Sequence, residues 1–153
     1  MRLTCISIGK VKDSPQQRLC DDYGKRLSHY VRYEERTLKA IKGKFDADEI
    51  RQRESRLLLD AVPPNSIVLV LDERGETPDS QKFAAQMKLH LASGRDLTFL
   101  IGGAFGHSDE VRQRADQLLA LSSLTLPHEL ARVVLLEQLY RAMTIVRGEP
   151  YHK

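Results

Sequence analysis

Two continuous apolar runs constrain the fold of this chain more than any other feature. Residues 66–71 read SIVLVL and residues 97–101 read LTFLI, without the regular polar alternation of a strand that has one wet face. Runs of this kind are typical of strands that are covered on both faces, as in a parallel sheet. Parallel strands need long crossover connections, which are usually helices.

Strand and helix signals alternate along the rest of the chain. Further strands are predicted at residues 2–8, 33–38 and 121–126. Helices are predicted to begin after Ser14, after Asp46, at Asp79 or Ser80, after Ser108 (a short helix to about residue 119) and near His128. Their spacing predicts inward positions at Leu19, Tyr23, Leu27, Ile50, Leu57, Leu58, Ala61, Phe83, Met87, Leu91, Leu130, Val134 and Ile145. The alternation predicts one α/β domain over residues 1–153, a parallel sheet with helices on both faces, in which ligands bind beyond the carboxyl ends of the strands.

Composition excludes several classes of protein. With 153 residues, 29% charged and 41% apolar, the chain is neither disordered nor fibrous. A net charge of +3 is too small to indicate nucleic-acid binding by itself. Cys5 and Cys20 fit neither a C-x-x-C motif nor a zinc spacing, which favours two reduced thiols in a cytosolic protein. We expect no metal, no signal peptide and no membrane span, because the N-terminal run alternates and no apolar stretch approaches about 20 residues.

Two segments near strand ends are candidates for ligand binding. Gly102-Gly103 directly follows a predicted strand, and glycines there let a backbone approach a ligand without a Cβ, although an ordinary tight turn explains them equally well. The pair fits neither the dinucleotide nor the P-loop fingerprint. Residues 122–128 interrupt an apolar segment with hydroxyl side chains and a proline, which frees backbone groups for a ligand or simply ends a strand before a helix.

The last helix and the tail behind it carry the remaining candidates. Glu137 and Arg141 are four residues apart and form either a surface ion pair or part of a site. Tyr140 lies in an apolar stretch, and such a face predicts a homodimer in which one chain's tail lies near the other chain's pocket. Residues 148–153 place Tyr, His and Lys behind a Gly and a Pro, an unusual composition for a solvated end. The most basic loop, residues 39–44, reads as a solvated loop.

Four motifs, taken together and in order, resemble a known family. Residues 100–103 (LIGG), 122–128 (SSLTLPH), 137–142 (EQLYRA) and 151–152 (YH) resemble the RlmH (YbeA) family of SPOUT-class ribosomal RNA methyltransferases. The resemblance covers essentially the whole chain. It implies a trefoil-knotted parallel α/β fold and a cytoplasmic homodimer that uses S-adenosylmethionine and releases S-adenosylhomocysteine. The implied reaction is methylation of N3 of a pseudouridine in helix 69 of 23S ribosomal RNA, within the large subunit or the assembled ribosome.

The resemblance also assigns residues to roles. The implied cofactor pocket comprises Leu71, Gly102, Gly103, Ser122, Ser123, Leu124, Thr125, Leu126 and Pro127. The implied RNA contacts are His128, Arg141, Tyr151, His152 and Lys153, of which Arg141, Tyr151 and His152 are catalytic, with the tail near the active site. Loss of the N3 proton is favoured by a cation such as Arg141 or Lys153, and either His152 or His128 could accept the proton.

One loop departs from the family pattern, and other functions stay open. Residues 104–107 read Ala-Phe-Gly-His, so their contacts with the cofactor do not follow from the resemblance. The alternatives are a SPOUT methyltransferase that acts on another RNA and a non-enzymatic, flavodoxin-like α/β module, because fold alone does not fix function. Neither a membrane nor DNA is expected as a partner.

Overall fold

Strand and helix alternate along the part of the chain that the structure describes, residues 1–9 and 14–153 of a computed structural model. The strands are β1 (Arg2–Ile8), β2 (Arg32–Leu38), β3 (Ile67–Glu76), β4 (Leu97–Ile101) and β5 (Gln117–Leu119). The helices are α1 (Pro15–Leu27), α2 (Ala47–Ala61), α3 (Ser80–Ser93), α4 (Asp109–Arg114) and α5 (His128–Arg147). None of the helices within the described residues has the length and apolarity needed to cross a membrane.

The strands form one sheet in the order β2-β1-β4-β3-β5, and every pairing is parallel. Leu3 pairs with Leu97, and Leu71 pairs with Ile101. This register brings the carboxyl ends of β4, β3 and β5 side by side at the same end of the sheet, which we call its carboxyl edge. The prediction of a parallel sheet is therefore confirmed.

Each face of the sheet is covered by helices. Leu69 and Phe99 belong to a buried cluster that also contains side chains of α1, α3 and α5. Val70 and Leu100 point to the other face, where they pack with Leu58 of α2 and with α4. Because neighbouring residues of β3 and β4 serve opposite faces, both runs are apolar throughout, as a two-sided strand requires.

Four helices begin where their capping residues predict. The side chains of Ser14, Asp46, Asp79 and Ser108 each accept a hydrogen bond from the backbone N–H three residues later. The cap of α3 is thus Asp79 and not Ser80. Pro15 follows its cap at the first helical position, where its missing N–H leaves no helical bond unmade.

The region between residues 108 and 126 differs from the prediction. The helix after Ser108 ends at Arg114, and the fifth strand lies at 117–119, so the predicted strand at 121–126 is wrong. Asp116 explains the shift, because its carboxylate accepts the N–H of Val68 at 2.7 Å while its own N–H donates to Val68 O at 2.9 Å. This double contact sets residues 117–119 in register with β3, and residues 121–126 are released as a loop.

β3 is also longer than the apolar run that predicted it. The strand continues through the polar residues to Glu76, and the pairing is irregular there, since both Leu71 and Glu76 face Leu119. Polar residues predict a turn, whereas pairing with β5 keeps this segment extended. Tertiary pairing overrides the local signal at this position.

Three predicted inward positions are exposed. Leu19, Leu57 and Leu130 have exposed fractions of 47%, 36% and 42%. In α1 and α2 the next residue, Cys20 or Leu58, is buried instead. In α5 the buried face includes Arg132, whose Nε lies 3.1 Å from Glu35 and 3.2 Å from the Cys20 sulfur. A buried, paired arginine does not show in a hydrophobic pattern, so the periodicity misplaces the inner face of α5.

Candidate active site

A cavity of about 180 Å³ opens at the carboxyl edge of the sheet, beyond β3 and β5. Its walls are formed by Leu71, Asp72, Glu73, residues 119–126 and Ala131. β3 and β5 therefore provide one wall, and the first turns of α5 close the other side. We call this the edge cavity.

The loop of residues 121–126 presents its backbone to the edge cavity. Within the described part of the chain, no backbone N–H or C=O of this loop is paired with another backbone group. One N–H, that of Leu124, donates to Ser122 Oγ at 2.9 Å and fixes the turn. Since unpaired backbone groups need partners, the loop can hydrogen-bond a heteroaromatic ring or a ribose.

The predicted cofactor residues divide into two groups. Leu71 and residues 122–126 line the edge cavity. Gly102, Gly103 and Pro127 do not line it; Gly102 follows Ile101, the pairing partner of Leu71, and Pro127 is the residue before α5. Sequence reasoning did not assign Glu73, Leu119, Ala120, Leu121 or Ala131 to the pocket; of these, Leu121 lies within the misplaced fifth strand.

The reason for a glycine at position 103 differs from the expected one. A Cβ on Gly103 would lie 2.4 Å from Oε2 of Glu54 and 3.2 Å from Ile8. The space beside this glycine is thus filled by the protein's own interior. A side chain at 103 would collide with the buried Glu54 and would not simply occupy room kept for a ligand.

Gly75 is a close-approach glycine that the sequence pattern did not reveal. A Cβ at this position would lie 2.5 Å from Leu119 N and 2.6 Å from the carbonyl carbon of Leu118. Both are backbone atoms of β5, which cannot move without breaking the pairing with β3. The missing side chain lets the extension of β3 lie against β5 and gives the edge cavity its shape.

Buried polar groups support the floor of the edge cavity. Asp72 accepts from Arg112 Nε at 2.8 Å and from the N–H of Arg74 at 3.0 Å, so its carboxylate is occupied. His107 is 2% exposed, and burial lowers its pKa to about 4 despite nearby Asp72. The ring is therefore neutral at pH 7. Phe105, in the same atypical loop, is 46% exposed at the surface.

A second cavity, of about 350 Å³, adjoins the first. Residues 119–121 belong to both, and the remaining walls are Pro78, Asp79, Ser80, Phe83, Val134 and Gln138. Ser80 Oγ donates to Gln138 Oε1 at 2.8 Å across its mouth. We call this the helix cavity, because it lies between α3 and α5.

The C-terminal tail folds back on α5. Gly148 adopts the left-handed conformation with φ of 70°, and the N–H of Glu149 donates to Thr144 O at 2.9 Å. Tyr151 then packs edge-to-face on Tyr140, with ring centroids 4.7 Å apart. Tyr30 donates to Glu149, whose carboxylate raises the pKa of Tyr30 to about 12. The tail is thus held by specific side chains.

Glu137 is the hub of the tail contacts. One of its oxygens accepts from Arg141 Nε at 3.1 Å and from Tyr151 Oη at 3.0 Å. The other accepts from Gln138 Nε2 at 2.6 Å, which connects the tail to the helix cavity. Burial, with help from the bond to Glu137, raises the pKa of Tyr151, so its phenol stays a neutral donor. Sequence reasoning treated Glu137 only as a partner for Arg141.

The predicted catalytic residues therefore lie together, and one predicted RNA contact, His128, lies apart. Arg141 stacks 4.7 Å from the Tyr151 ring centroid, and its Nη1 lies 3.4 Å from Nδ1 of His152. His128 lies elsewhere, with Nε2 3.6 Å from the position of a Cβ on Gly9. Lys153 is exposed. Within the described residues, no group of His, Cys, Asp and Glu side chains could hold a metal ion.

Comparison with known proteins identifies the family. A match to the family described as "Predicted SPOUT methyltransferase" spans residues 1–152. The chain belongs to the SPOUT methyltransferase family. The RlmH-type resemblance is confirmed by relatives that are named ribosomal RNA large subunit methyltransferase H. The proteins of that name from Syntrophotalea carbinolica and Anaeromyxobacter sp. strain Fw109-5 are 46% and 42% identical over 99% and 100% of each chain.

A solved structure supports the fold of this SPOUT family member. A protein from Neisseria gonorrhoeae assigned to a methylase family superposes with a TM-score of 0.50 at 12% identity, over 91% of this chain and 80% of its own. The α/β fold expected from the sequence is thus shared with that solved structure. The trefoil knot implied by the resemblance stays a prediction.

Proposed function

We propose that this SPOUT methyltransferase transfers a methyl group from S-adenosylmethionine to N3 of a pseudouridine in helix 69 of 23S ribosomal RNA. The observation that carries the proposal is the loop of residues 121–126, which lines the edge cavity and whose backbone groups pair with no other backbone group of the described chain. The helix cavity adjoins it, and Gln138 in the wall of that cavity is bonded to Glu137, which holds the tail. The names of relatives at 46% and 42% identity over the full chain support the substrate.

The edge cavity suits the nucleoside part of the cofactor. Adenine presents ring nitrogens and an exocyclic amine, which pair with backbone N–H and C=O groups such as those of residues 121–126. Leu71 and Leu126 supply apolar walls for the ring. When bound, the cofactor supplies an electrophilic methyl group on a sulfonium. The role of Gly102, Gly103 and Pro127 is to hold the neighbouring loop ends in place.

The helix cavity suits the target base, because it shares residues 119–121 with the edge cavity. A pyrimidine imide has two carbonyl oxygens that flank N3. Ser80 holds the Gln138 amide in place, and the second N–H of that amide can donate to one of these oxygens and stabilise the negative charge that spreads to oxygen when N3 loses its proton. The bond of the Gln138 amide to Glu137 joins base binding to the position of the tail.

The transfer is a single displacement. The N3 lone pair, once freed of its proton, would take the methyl group that the bound cofactor supplies, and S-adenosylhomocysteine would be the leaving group. Arg141, fixed by Glu137, favours the N3 anion by its positive charge. We assign the proton to His152. Because the guanidinium of Arg141 can only donate, Nδ1 of His152 is the acceptor of this contact. His152 must therefore move away from Arg141 before its Nδ1 can take the proton from N3.

The tail acts on a partner subunit in the arrangement we propose. Within one chain, the described tail contacts are with Tyr30, Glu137, Tyr140, Arg141 and Thr144, none of which lines the edge cavity. In a homodimer the tail of one chain would lie near the edge cavity of the other and close over the target nucleotide. The exposed Leu130 of α5, at 42%, lies on a face that a second chain can cover. The remaining proposed features are one catalytic domain over residues 1–153, a cytoplasmic location and docking on the ribosome, with His128 and Lys153 at the RNA.

The test is methylation of large ribosomal subunits purified from cells that lack this protein. Purified protein and labelled S-adenosylmethionine are expected to add one methyl group per subunit, and mass mapping places it on a helix 69 pseudouridine. His152→Ala is the matched control, since it leaves the edge cavity intact. Calorimetry with S-adenosylhomocysteine measures the cofactor site separately.

Each outcome separates the proposal from an alternative. Methylation of transfer RNA or of another ribosomal position, with helix 69 unmodified, would replace the substrate by another RNA. Absence of S-adenosylhomocysteine binding and of methylation with every RNA would favour a non-enzymatic α/β module. Sedimentation at micromolar concentration tests the homodimer, and a monomer would exclude the shared site.

A further inference from the structure

The loop of residues 39–44 carries three exposed lysines at the same edge of the sheet as the candidate site. Lys39, Lys42 and Lys44 follow β2, whose carboxyl end lies beside that of β1. All strands are parallel, so this loop and the loops after β3, β4 and β5 emerge on one side of the molecule. The sequence alone does not distinguish this loop from any solvated basic loop.

The three lysines have no acidic partner within the described residues. In contrast, the arginines of the neighbouring α2 are each neutralised by a carboxylate: Arg51 by Asp48, Arg53 by Glu49 and Arg56 by Glu110. The positive charge of the lysine loop is therefore uncompensated. A concentration of unpaired cations at one place attracts an anion.

The loop is held in place within the lysine segment, at Ile41, and just after it, at Phe45. The N–H of Ile41 donates to Oε1 of Glu54 at 3.0 Å, and Glu54 is only 4% exposed. Phe45 is covered by the guanidinium of Arg53, 4.2 Å from the ring centroid. A loop whose lysines only kept the protein in solution would not need a buried carboxylate as an anchor.

The anchor also joins the lysine loop to the candidate site. The second oxygen of Glu54 has no hydrogen-bond partner within the described residues and faces Gly103, since a Cβ there would lie 2.4 Å from it. Glu54 thus packs against the loop after β4 with one oxygen and holds the lysine loop with the other. The spacing between the lysines and the cofactor-side loops is fixed by one side chain.

We propose that Lys39, Lys42 and Lys44 bind phosphates of the RNA strand that flanks the target nucleotide. The inference rests on the proposed function and adds the surface that docks the RNA backbone. Lysine ammonium groups contact phosphates as point charges and release condensed counterions, which makes binding depend on salt. This surface supplies affinity without reading sequence.

The experiment measures binding of large ribosomal subunits against salt concentration for single and triple Lys→Ala variants of these residues. Each lost phosphate contact reduces the steepness of log affinity against log salt by about 0.7 to 0.9, so the triple variant loses about 2 to 3. The matched controls are Lys25→Ala and Lys88→Ala, exposed lysines in the C-terminal halves of α1 and α3, toward the opposite end of the strands. S-adenosylhomocysteine affinity, measured by calorimetry, reports folding and is expected to stay unchanged in all variants.

The outcomes distinguish the two proposals. An unchanged salt dependence in the triple variant, or an equal loss in the two controls, would overturn the lysine proposal while leaving methylation intact. Subunits that bind with the expected salt dependence but acquire no methyl group would overturn the proposed reaction and leave the lysine surface standing. Reversing the charge with Lys42→Glu and Lys44→Glu is a further test. Unchanged subunit binding and unchanged methylation in that double variant would also overturn the lysine proposal.

Discussion

The edge cavity is built from different chemical groups than the tail cluster, the name we give to Glu137, Arg141, Tyr151 and His152. Around the cavity, residues 121–126 offer unpaired backbone N–H and C=O groups, and one side-chain bond fixes the turn. In the tail cluster, Glu137 alone holds Arg141, Tyr151 and Gln138 through its two carboxylate oxygens. A ligand held by backbone groups should still bind when side chains of the loop are substituted. Contacts that all depend on the Glu137 carboxylate should be lost together when Glu137 is substituted. The two regions should therefore respond to mutation in opposite ways.

The largest expected effect comes from removing the tail. Deletion of residues 148–153 removes Tyr151 and His152, and methylation of large subunits should fall by about 10²- to 10⁴-fold because acid–base and positioning groups are lost. S-adenosylhomocysteine affinity should change by less than about threefold, since no tail contact of the described residues involves the lining of the edge cavity. Deletion of Lys153 alone is the control. Equal methylation by the two truncated proteins would show that the tail has no catalytic role.

The next effect concerns pH and the buried His107. Its pKa is lowered to about 4 in the folded protein, below the ordinary value of 6.5, so the unfolded chain binds the proton more tightly. This histidine costs no stability above pH 6.5; as the pH falls toward 4, up to roughly 3 kcal/mol of the unfolding free energy is lost. Chemical denaturation at pH 7 and pH 4.5 measures the loss. His107→Leu should flatten the dependence, and an equally steep curve would assign it to other groups.

A smaller effect is expected at Gly75. In Gly75→Ala the new Cβ would lie 2.5 Å from Leu119 N, and β5 must shift away from β3. The expected cost is about 1 to 3 kcal/mol of unfolding free energy, together with weaker S-adenosylhomocysteine binding. Urea denaturation and calorimetry give the two values. Glu76→Ala is the control for this segment, because its exposed side chain does not line the edge cavity. An unaltered Gly75→Ala protein would mean that β5 moves freely.

The smallest effects distinguish backbone from side-chain recognition inside the edge cavity. Ser122→Ala removes the acceptor of the Leu124 N–H, and S-adenosylhomocysteine affinity should fall by about three- to tenfold, the value of one hydrogen bond. Ser123→Ala and Thr125→Ala remove exposed hydroxyls that make no hydrogen bond within the described residues, and affinity should change by less than about twofold. A tenfold loss in either control would show side-chain recognition there.

The fold could be read from the sequence where local signals and burial agree. The run at residues 97–101, covered on both faces, and the caps at Ser14 and Asp46 were predicted and are found. The fifth strand could not be placed, because Asp116 sets its register through a contact with Val68, 48 residues away. A polar residue that selects a register leaves no trace in hydrophobic periodicity.

The candidate site was only partly visible for a similar reason. Motifs point to Arg141, Tyr151 and His152, and these residues do lie together. The groups that hold the site in place, Glu137, Glu54 and Gly75, act through contacts between distant segments. Glu137 looks like half of an ordinary helix ion pair, and Gly75 looks like part of a turn. Their roles follow from geometry and not from residue type.

The strand order also has a consequence for how the chain is made. β1 lies between β2 and β4, and Leu3 pairs with Leu97 while the N–H of Arg2 donates to Asp96 Oδ1 at 2.7 Å. At a synthesis rate of about 5 to 20 residues per second, β4 leaves the ribosome roughly 5 to 20 s after β1. Throughout that interval one edge of the buried strand β1 is unpaired. The period of greatest risk of aggregation therefore precedes completion of the sheet, and it lengthens whenever translation slows before residue 97.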